Sequence, residues 1–271
     1  MNAGPVGEAL AAGRAWLAGA RGADGSLGYE PGQEGRPEPS LLLAAAGLPA
    51  PVAWLEARPL GWAGRLAPAL LRGEAAADGL RSRELALLLA GRAEEAPGDE
   101  GIRGWGWVEG TAPWVEPTAC ALLSLRAAGL LPCAQAAEAE RFLLARRCAT
   151  GAWNYGDPRS LGRDLAPQVV PTGWALLALA GLPASVPACT EAFAWLDARV
   201  RGLPTAQGLA LRVLAGVALG LGDGGAAARL AGSRRADGSW LGRADLTALA
   251  CAALAAALGT SGPLPLRAGS A

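Results

Sequence analysis

The chain has 271 residues, 52% of them hydrophobic, and its 24 basic residues balance its 24 acidic residues. Every basic residue is Arg, since the sequence contains neither Lys nor His, and this composition predicts a GC-rich, bacterial genome. It excludes a Ser-His-Asp triad, a His metal ligand, a Schiff-base Lys and a phosphate-loop Lys. Because no basic face is evident, we also expect no nucleic-acid partner.

The apolar content is mostly Ala and Leu, which favour helices, whereas the strand-favouring Val and Ile are sparse. We therefore expect an all-α protein, a single domain over residues 1–271 with a substantial core.

The longest apolar run, LTALACAALAAAL, is short for a membrane span, and the N-terminus lacks the features of a signal peptide. A cytoplasmic location follows as an expectation, with peripheral membrane contact left open. The five cysteines are scattered, so no metal site, disulfide framework or cofactor is expected.

A short motif recurs along the chain at intervals of 32 to 54 residues, a spacing typical of helix-pair arrays. Pro suits the first position of a helix, and Ser or Thr just inside can serve a free backbone N–H, so the motif predicts a helix start. The copies are PEPSLLLAAAGL from Pro37, a weaker one around Glu84, WVEPTACALLSL from Trp114, QVVPTGWALLAL from Gln168, GLPTAQGLALRVL from Gly202 and RADLTALACAAL from Arg243.

Second helices are predicted between these starts, at 7–20, 51–72 with a break near Pro59, 134–147, 187–200 and 224–234, while the acidic segment 92–104 predicts a loop. A second repeating element is a turn followed by an aromatic residue. It occurs as GSLGY from Gly25, RGWGW from Arg103, GAWNY from Gly151 and GSW from Gly238. We expect Trp153 and Trp240 of this element to pack between neighbouring repeats.

The segments FLLARR to GAW at 142–153 and RRADGSW at 234–240 are similar to degenerate QW repeats, with Arg147 and Arg235 in place of the Gln. Over about 24–258 the chain resembles the prenyltransferase and squalene-oxidase repeat superfamily, which includes squalene–hopene cyclases and protein prenyltransferase β subunits. The resemblance implies one α/α toroid of about six helical hairpins, with a loose tail at 259–271. It also implies that the inner helices run parallel around a central cavity, with Glu38, Glu84, Glu116 and Asp245 at a common mouth.

Within this superfamily, the zinc-dependent prenyltransferases need a His that this chain lacks. Class II terpenoid cyclases carry Asp-x-Asp-Asp-Thr-Ala, whose middle Asp protonates an alkene or epoxide. Aligned on Thr118 and Ala119, that motif keeps its middle acid as Glu116 and loses both flanking Asp residues. The helix dipole would lower the pKa of Glu116 and an apolar cavity would raise it, and the sequence leaves the balance open.

Further candidates for ligand binding are aromatic or polar residues near the expected mouth. Aromatic walls stabilise carbocations, and polar residues are unusual on otherwise apolar inner helices. These candidates are Trp107, Trp114, Trp174, Glu38, Gln207, Arg212 and Asp245. A ring of residues four positions after each motif's acidic position is also expected to line the cavity: Leu42, Leu88, Cys120, Trp174, Gln207 and Leu249.

The residues therefore support three functions. The first is a terpenoid-cyclase-like isomerase that acts on an apolar isoprenoid, with Glu116 as the proton donor and no cofactor. The second is a non-catalytic toroid that binds a lipid or other hydrophobic ligand, a peptide or a protein. The third is a carbohydrate-active α/α barrel with paired carboxylates, since glycosidases need two acids at a defined separation.

Overall fold

The computed structural model describes residues 4–91, 94–96 and 99–260, and within them the chain is mainly helical, which confirms the all-α prediction in its coarse form. The predicted tail 259–271 lies outside the described residues apart from its first two positions. A 3₁₀ helix at Gly61–Leu66 runs directly into α4. The α-helices are α1 (Gly4–Gly19), α2 (Pro37–Ala45), α3 (Val52–Glu56), α4 (Ala67–Leu70), α5 (Asp78–Ala90), α6 (Val115–Ala127), α7 (Ala134–Ala145), α8 (Val169–Leu179), α9 (Val186–Gly202), α10 (Ala206–Ala218), α11 (Ala226–Gly232) and α12 (Ala244–Ala257).

The strands in the described residues form two short antiparallel hairpins. The first pairs β1 (Glu94–Ala96) with β2 (Asp99–Gly104), inside the segment predicted to be a loop. The second pairs β3 (Arg159–Ser160) with β4 (Arg163–Asp164), just before α8. Both hairpins lie in connections that lead to the next helix.

Every second helix belongs to one closed circuit of contacts. The segment 61–70 contacts α2 on one side and α6 on the other. The circuit continues from α6 to α8, α10 and α12, and α12 returns to α2. The intervening helices pack against its outside, as α7 does on α6 and α9 does on α8 and α10. The members of the circuit are almost wholly apolar, and α6, α8, α10 and α12 are buried over most of their length.

The motif Ser and Thr residues join each aromatic turn to the helix that follows it. The Ser40 hydroxyl accepts a hydrogen bond from the backbone N–H of Leu27 at 2.9 Å, and Thr172 accepts one from Trp153 at 3.1 Å. In the same way, the hydroxyl of Thr118 accepts a hydrogen bond from the backbone N–H of Trp105, and that of Thr247 accepts one from Trp240. All four hydroxyl residues are buried. Each therefore serves a free backbone N–H, as expected, but that N–H belongs to the preceding turn and not to its own helix.

The fifth copy is a helix cap: Thr205 accepts a hydrogen bond from the N–H of Gly208 at the start of α10. Trp153 and Trp240 of the aromatic turns are fully buried and donate their indole N–H groups to the carbonyls of Leu143 and Leu230 in the helices that precede them.

Two predictions about the second repeat were wrong. Glu84 does not begin a helix; it lies in the middle of α5, is buried and pairs with Arg83. The second inner element of the circuit is instead the segment 61–70, which was predicted to be the second half of a broken outer helix. This segment lacks the motif, and it begins as a 3₁₀ helix at Gly61.

The two ends of the described chain meet. The N–H of Ala244, at the start of α12, donates to the carbonyl of Tyr29 in the first aromatic turn. An equivalent hydrogen bond links the N–H of Val115, at the start of α6, to the carbonyl of Tyr155 in the next turn along the chain. Because the last repeat bonds to the first as one inner repeat bonds to its neighbour, the circuit closes through ordinary repeat contacts. Within the described residues, no helix combines the length and hydropathy needed to cross a membrane.

Candidate functional site

A small cavity of about 80 Å³ lies where the helices of the circuit begin. First-turn residues of five different helices face it, so those helices run parallel and their N-termini share one end of the molecule. Every member of the circuit contributes to the wall: Glu38, Leu42, Trp62, Leu66, Glu116, Cys120, Val170, Trp174, Gln207, Asp245, Leu246 and Leu249.

Glu116 occupies the first turn of α6, whose N-cap residue is Trp114. Its Oε1 atom is buried and has no hydrogen-bond partner among the described residues. Burial and, to a smaller extent, the negative charge of Glu38 together raise the pKa of Glu116 to about 7. A substantial fraction of Glu116 is therefore protonated near neutral pH.

The other two carboxylic acids of the cavity have partners. The hydroxyl of Tyr29 donates to Oε2 of Glu38 at 2.6 Å. Burial nevertheless raises the pKa of Glu38, and the charge of Asp245 adds to this effect. Asp245 forms a two-pronged ion pair with Arg243, with N–O distances of 3.0 and 2.7 Å. The unpartnered acid is thus Glu116, on the side of the cavity formed by α6.

Apart from Gln207, the rest of the wall is apolar or aromatic. Trp62 and Trp174 are half-buried and supply the two indole rings. Cys120 lies one turn after Glu116 and is buried, and burial raises the pKa of its thiol well above the ordinary value. A neutral thiol of this kind acts as a small hydrophobic group. Among the described residues, no group of three or more His, Cys, Asp or Glu side chains is arranged to hold a metal ion.

Most of the residues singled out from the sequence meet in this cavity: Glu38, Leu42, Glu116, Cys120, Trp174, Gln207, Asp245 and Leu249. Trp62 was missed because its helix lacks the motif. The available signal was the apolar run GWAGRLAPALL, which directly follows the predicted break. Leu88 lies elsewhere, on the outer helix α5.

Three other candidates lie outside the cavity wall. Trp107 lies in a neighbouring cleft, and Trp114 is 39% exposed with its ring against Gly156. Arg212 is buried on the far side of α10, where it forms an ion pair with Asp197 at 2.8 Å and donates to the carbonyl of Gly222. Its polar character on an apolar helix is therefore explained by a structural ion pair.

The neighbouring cleft is much larger, about 710 Å³, and lies between α5 and the segment 104–110. Trp62 belongs to the lining of both spaces. Its ring meets that of Trp107 edge to face, with the ring centres 4.9 Å apart.

No family model matches the chain, and a search of curated proteins finds no relative. Solved structures do resemble it. A protein from Actinoplanes is 18% identical, with a TM-score of 0.63 over 93% of this chain and 99% of the other. This likeness concerns the fold.

Weaker likenesses are to the type II terpene cyclase MstE from Scytonema. One variant in complex with its substrate, geranylgeranyl dihydroxybenzoate, is 12% identical, with a TM-score of 0.48 over 95% of this chain and 98% of the other. The apo enzyme is 14% identical, with a TM-score of 0.46 over 94% and 99%. At these TM-scores the likenesses do not by themselves indicate a shared activity.

Proposed function

We propose that the chain is a single α/α toroid domain and a terpenoid-cyclase-like isomerase, in which Glu116 donates a proton to an apolar isoprenoid. The observation that carries the proposal is the state of Glu116: it faces the cavity, has an unpartnered buried oxygen and has a pKa raised to about 7. The closed circuit of six parallel inner elements, each paired with an outer helix, supports the toroid.

A general acid must carry its proton at the working pH and be free to transfer it. Asp245 is neutralised by Arg243, and Glu38 accepts a hydrogen bond from Tyr29. Glu116 has neither restraint, and it lies in a cavity whose wall also contains two indole rings. Those rings can stabilise the positive charge that develops once the proton has been transferred.

The proposed reaction is an isomerisation. The carboxyl O–H of Glu116 breaks and its proton forms a bond to the substrate, which becomes a carbocation, while Glu116 becomes a carboxylate. An internal alkene of the substrate then supplies the electron pair for a new C–C bond. Loss of a proton from the cyclised cation to the Glu116 carboxylate restores the acid and leaves the substrate's atomic composition unchanged.

The acidity of Glu116 favours one class of acceptor. A carboxyl group with a pKa near 7 is a weak acid, and proton transfer from it is more favourable to an acceptor with a lone pair. The oxygen of an epoxide provides such a lone pair, whereas an isolated alkene offers only its π electrons. We therefore propose an epoxidised linear isoprenoid as the better substrate.

The test is to incubate the wild type and Glu116→Gln with linear isoprenoids and their terminal epoxides. The amide keeps the shape of the side chain and removes the acidic proton, so we expect loss of all cyclised product with the fold retained. Glu8→Gln is the control, since the exposed Glu8 lines neither the cavity nor the neighbouring cleft, and it should retain activity. Cyclisation by Glu116→Gln at the wild-type rate would exclude Glu116 as the acid.

The second candidate is a non-catalytic toroid that binds a hydrophobic ligand. It is favoured by the small volume beside Glu116, because about 80 Å³ lies well below the roughly 300–1,000 Å³ of ordinary ligand pockets, whereas the neighbouring cleft of about 710 Å³ could hold a ligand away from the acid. Under this alternative the wild type binds isoprenoids and forms no product from any of them, and Glu116→Gln changes neither result.

A further inference from the structure

We propose that the chain of the isoprenoid binds in the cleft between α5 and the segment 104–110, and that Trp62 determines how far its reactive end reaches toward Glu116. The inference takes the class of ligand from the proposed function, but its experiments measure binding and do not require turnover. The cleft and the cavity would then form one divided site, with the chain in the larger part and the acid in the smaller.

The volumes of the cavity and the cleft support a site divided in this way. The cavity beside Glu116, about 80 Å³, has room for a few carbon atoms, not for a linear isoprenoid. The cleft, about 710 Å³, falls within the range of ordinary ligand pockets. Because the two spaces share the wall formed by Trp62, a chain held in the cleft ends next to the cavity.

The cleft also presents apolar side chains that are otherwise uncovered. Leu87 on α5 is 60% exposed and Val108 on the opposite wall is 65% exposed, and both line the cleft. The half-buried Trp107 adds to this apolar surface, and the buried Leu60 and Leu88 also belong to the lining. A bound hydrocarbon chain would remove this surface from water, which is the main driving force for binding apolar ligands.

The charges of the cleft favour a neutral ligand. Its lining contains three Arg residues and three Glu residues: Arg58, Arg65, Arg83, Glu56, Glu84 and Glu109. Arg83 pairs with Glu84 and donates to two backbone carbonyls, and Arg58 lies over the ring of Trp54 at 4.1 Å. Since the lining is electrically balanced, we expect an isoprenoid alcohol or epoxide and not an anionic diphosphate.

Trp62 is the residue that limits how far a ligand in the cleft extends toward Glu116. Its ring contacts Trp107 on the cleft side, and the same residue faces Leu66, Glu116 and Trp174 across the cavity. Replacing the indole with a small side chain would join the two spaces. A longer chain could then be accommodated without any change to the acid or to the cleft walls.

The first experiment measures binding of farnesol by isothermal titration calorimetry. Leu87→Glu places a charge in the cleft and should weaken binding about tenfold or more, because an apolar chain cannot compensate the buried carboxylate. Leu89→Glu is the control, since Leu89 lies on the same helix, is 36% exposed and does not line the cleft. Equal affinities for the two variants would overturn the assignment of the cleft.

The second experiment tests the role of Trp62 with the longer geranylgeraniol. Trp62→Ala should raise the affinity for geranylgeraniol relative to farnesol about fivefold, whereas Trp107→Ala, which alters only the cleft, should not. Trp62→Phe, with an intermediate volume, should fall between wild type and Trp62→Ala and serves if the alanine variant does not fold. An unchanged ratio in both Trp62 variants would overturn the proposed divider.

These results separate the inference from the proposed function. Glu116→Gln should bind farnesol as the wild type does, because Glu116 does not line the cleft. If wild-type protein forms no product but the Leu87 and Trp62 variants change binding as stated, the cyclase fails and the divided site stands. If product forms while those variants bind normally, the divided site fails and the cyclase stands.

Discussion

At Glu116 two electrostatic effects oppose each other, and their balance decides whether the residue can act as an acid. The N-terminus of α6 favours the carboxylate, whereas burial favours the neutral acid. The sequence located Glu116 at a helix start and could go no further, because burial depends on Trp62, Trp174 and Glu38 on three other elements. Burial and, to a smaller extent, the charge of Glu38 raise the pKa to about 7.

This balance predicts how stability depends on pH. The pKa of Glu116 is about 7 in the folded protein against an ordinary value of 4.5, so the folded state holds the proton more tightly. The wild type should therefore lose stability as the pH rises from about 4.5 to about 7, relative to Glu116→Gln. The loss should be on the order of 3 kcal/mol at most.

Urea unfolding of both proteins at pH 5 and pH 8 measures this difference. Glu8→Gln is the control, since Glu8 is an exposed residue of α1 that does not line the cavity. It should follow the wild type at both pH values. If Glu116→Gln also follows the wild type, the raised pKa and the proton donor proposed from it are both wrong.

At the scale of the elements, the sequence located four of the six inner helix starts through the Pro-Thr pattern and its variants, and placed a fifth to within a few residues. It did not reveal which backbone N–H groups the buried hydroxyls serve. Their partners lie 7 to 19 residues earlier in the chain, in turns whose position against the helix depends on the folded structure. The sequence also predicted the wrong position for the remaining inner element, because the residues around Glu84 resemble the pattern and the segment 61–70 lacks it.

The hydrogen bonds that join the aromatic turns to the Ser and Thr hydroxyls predict how a substitution of Thr172 changes stability. Thr172→Val preserves the shape of the side chain but leaves the buried N–H of Trp153 without its acceptor, which should destabilise the protein by about 1–3 kcal/mol. Thr190→Val is the control, since Thr190 is exposed and its hydroxyl donates to the carbonyl of Val186 within its own helix. We expect less than about 0.5 kcal/mol for this variant. Chemical denaturation measures both, and equal effects would contradict a role for the Thr172 hydrogen bond.

At the scale of the whole molecule, closure of the circuit distinguishes this protein from an open array of helix pairs. The terminal repeats of an open array lack one neighbour and unfold more readily than the interior. Here α12 contacts both α1 and α2, and Ala244 bonds to Tyr29. The repeats in the sequence predict an array, but no local pattern indicates that its ends meet, because the contact joins residues more than 200 positions apart.

Gly13 offers a direct test of closure, because it lies where α1 crosses α12 and Trp240. A Cβ atom at this position would lie 2.6 Å from the sulfur of Cys251 and 2.9 Å from the ring of Trp240, both of which are fully buried. Gly13→Ala should therefore push the ends apart and destabilise the protein, although Ala normally favours a helix by about 1 kcal/mol over Gly. Gly19→Ala on the same helix meets nothing within 4 Å and should be neutral or stabilising.

Native-state hydrogen exchange distinguishes a loss of closure from general destabilisation. In the wild type, the amides of α1, α2 and α12 should be protected as strongly as those of α6 and α8, because every repeat has two neighbours. In Gly13→Ala the protection of α1 and α12 should fall first, while α6 and α8 keep most of theirs. Faster exchange at the ends of the wild type itself would mean that the circuit is open in solution, and the toroid would have to be abandoned.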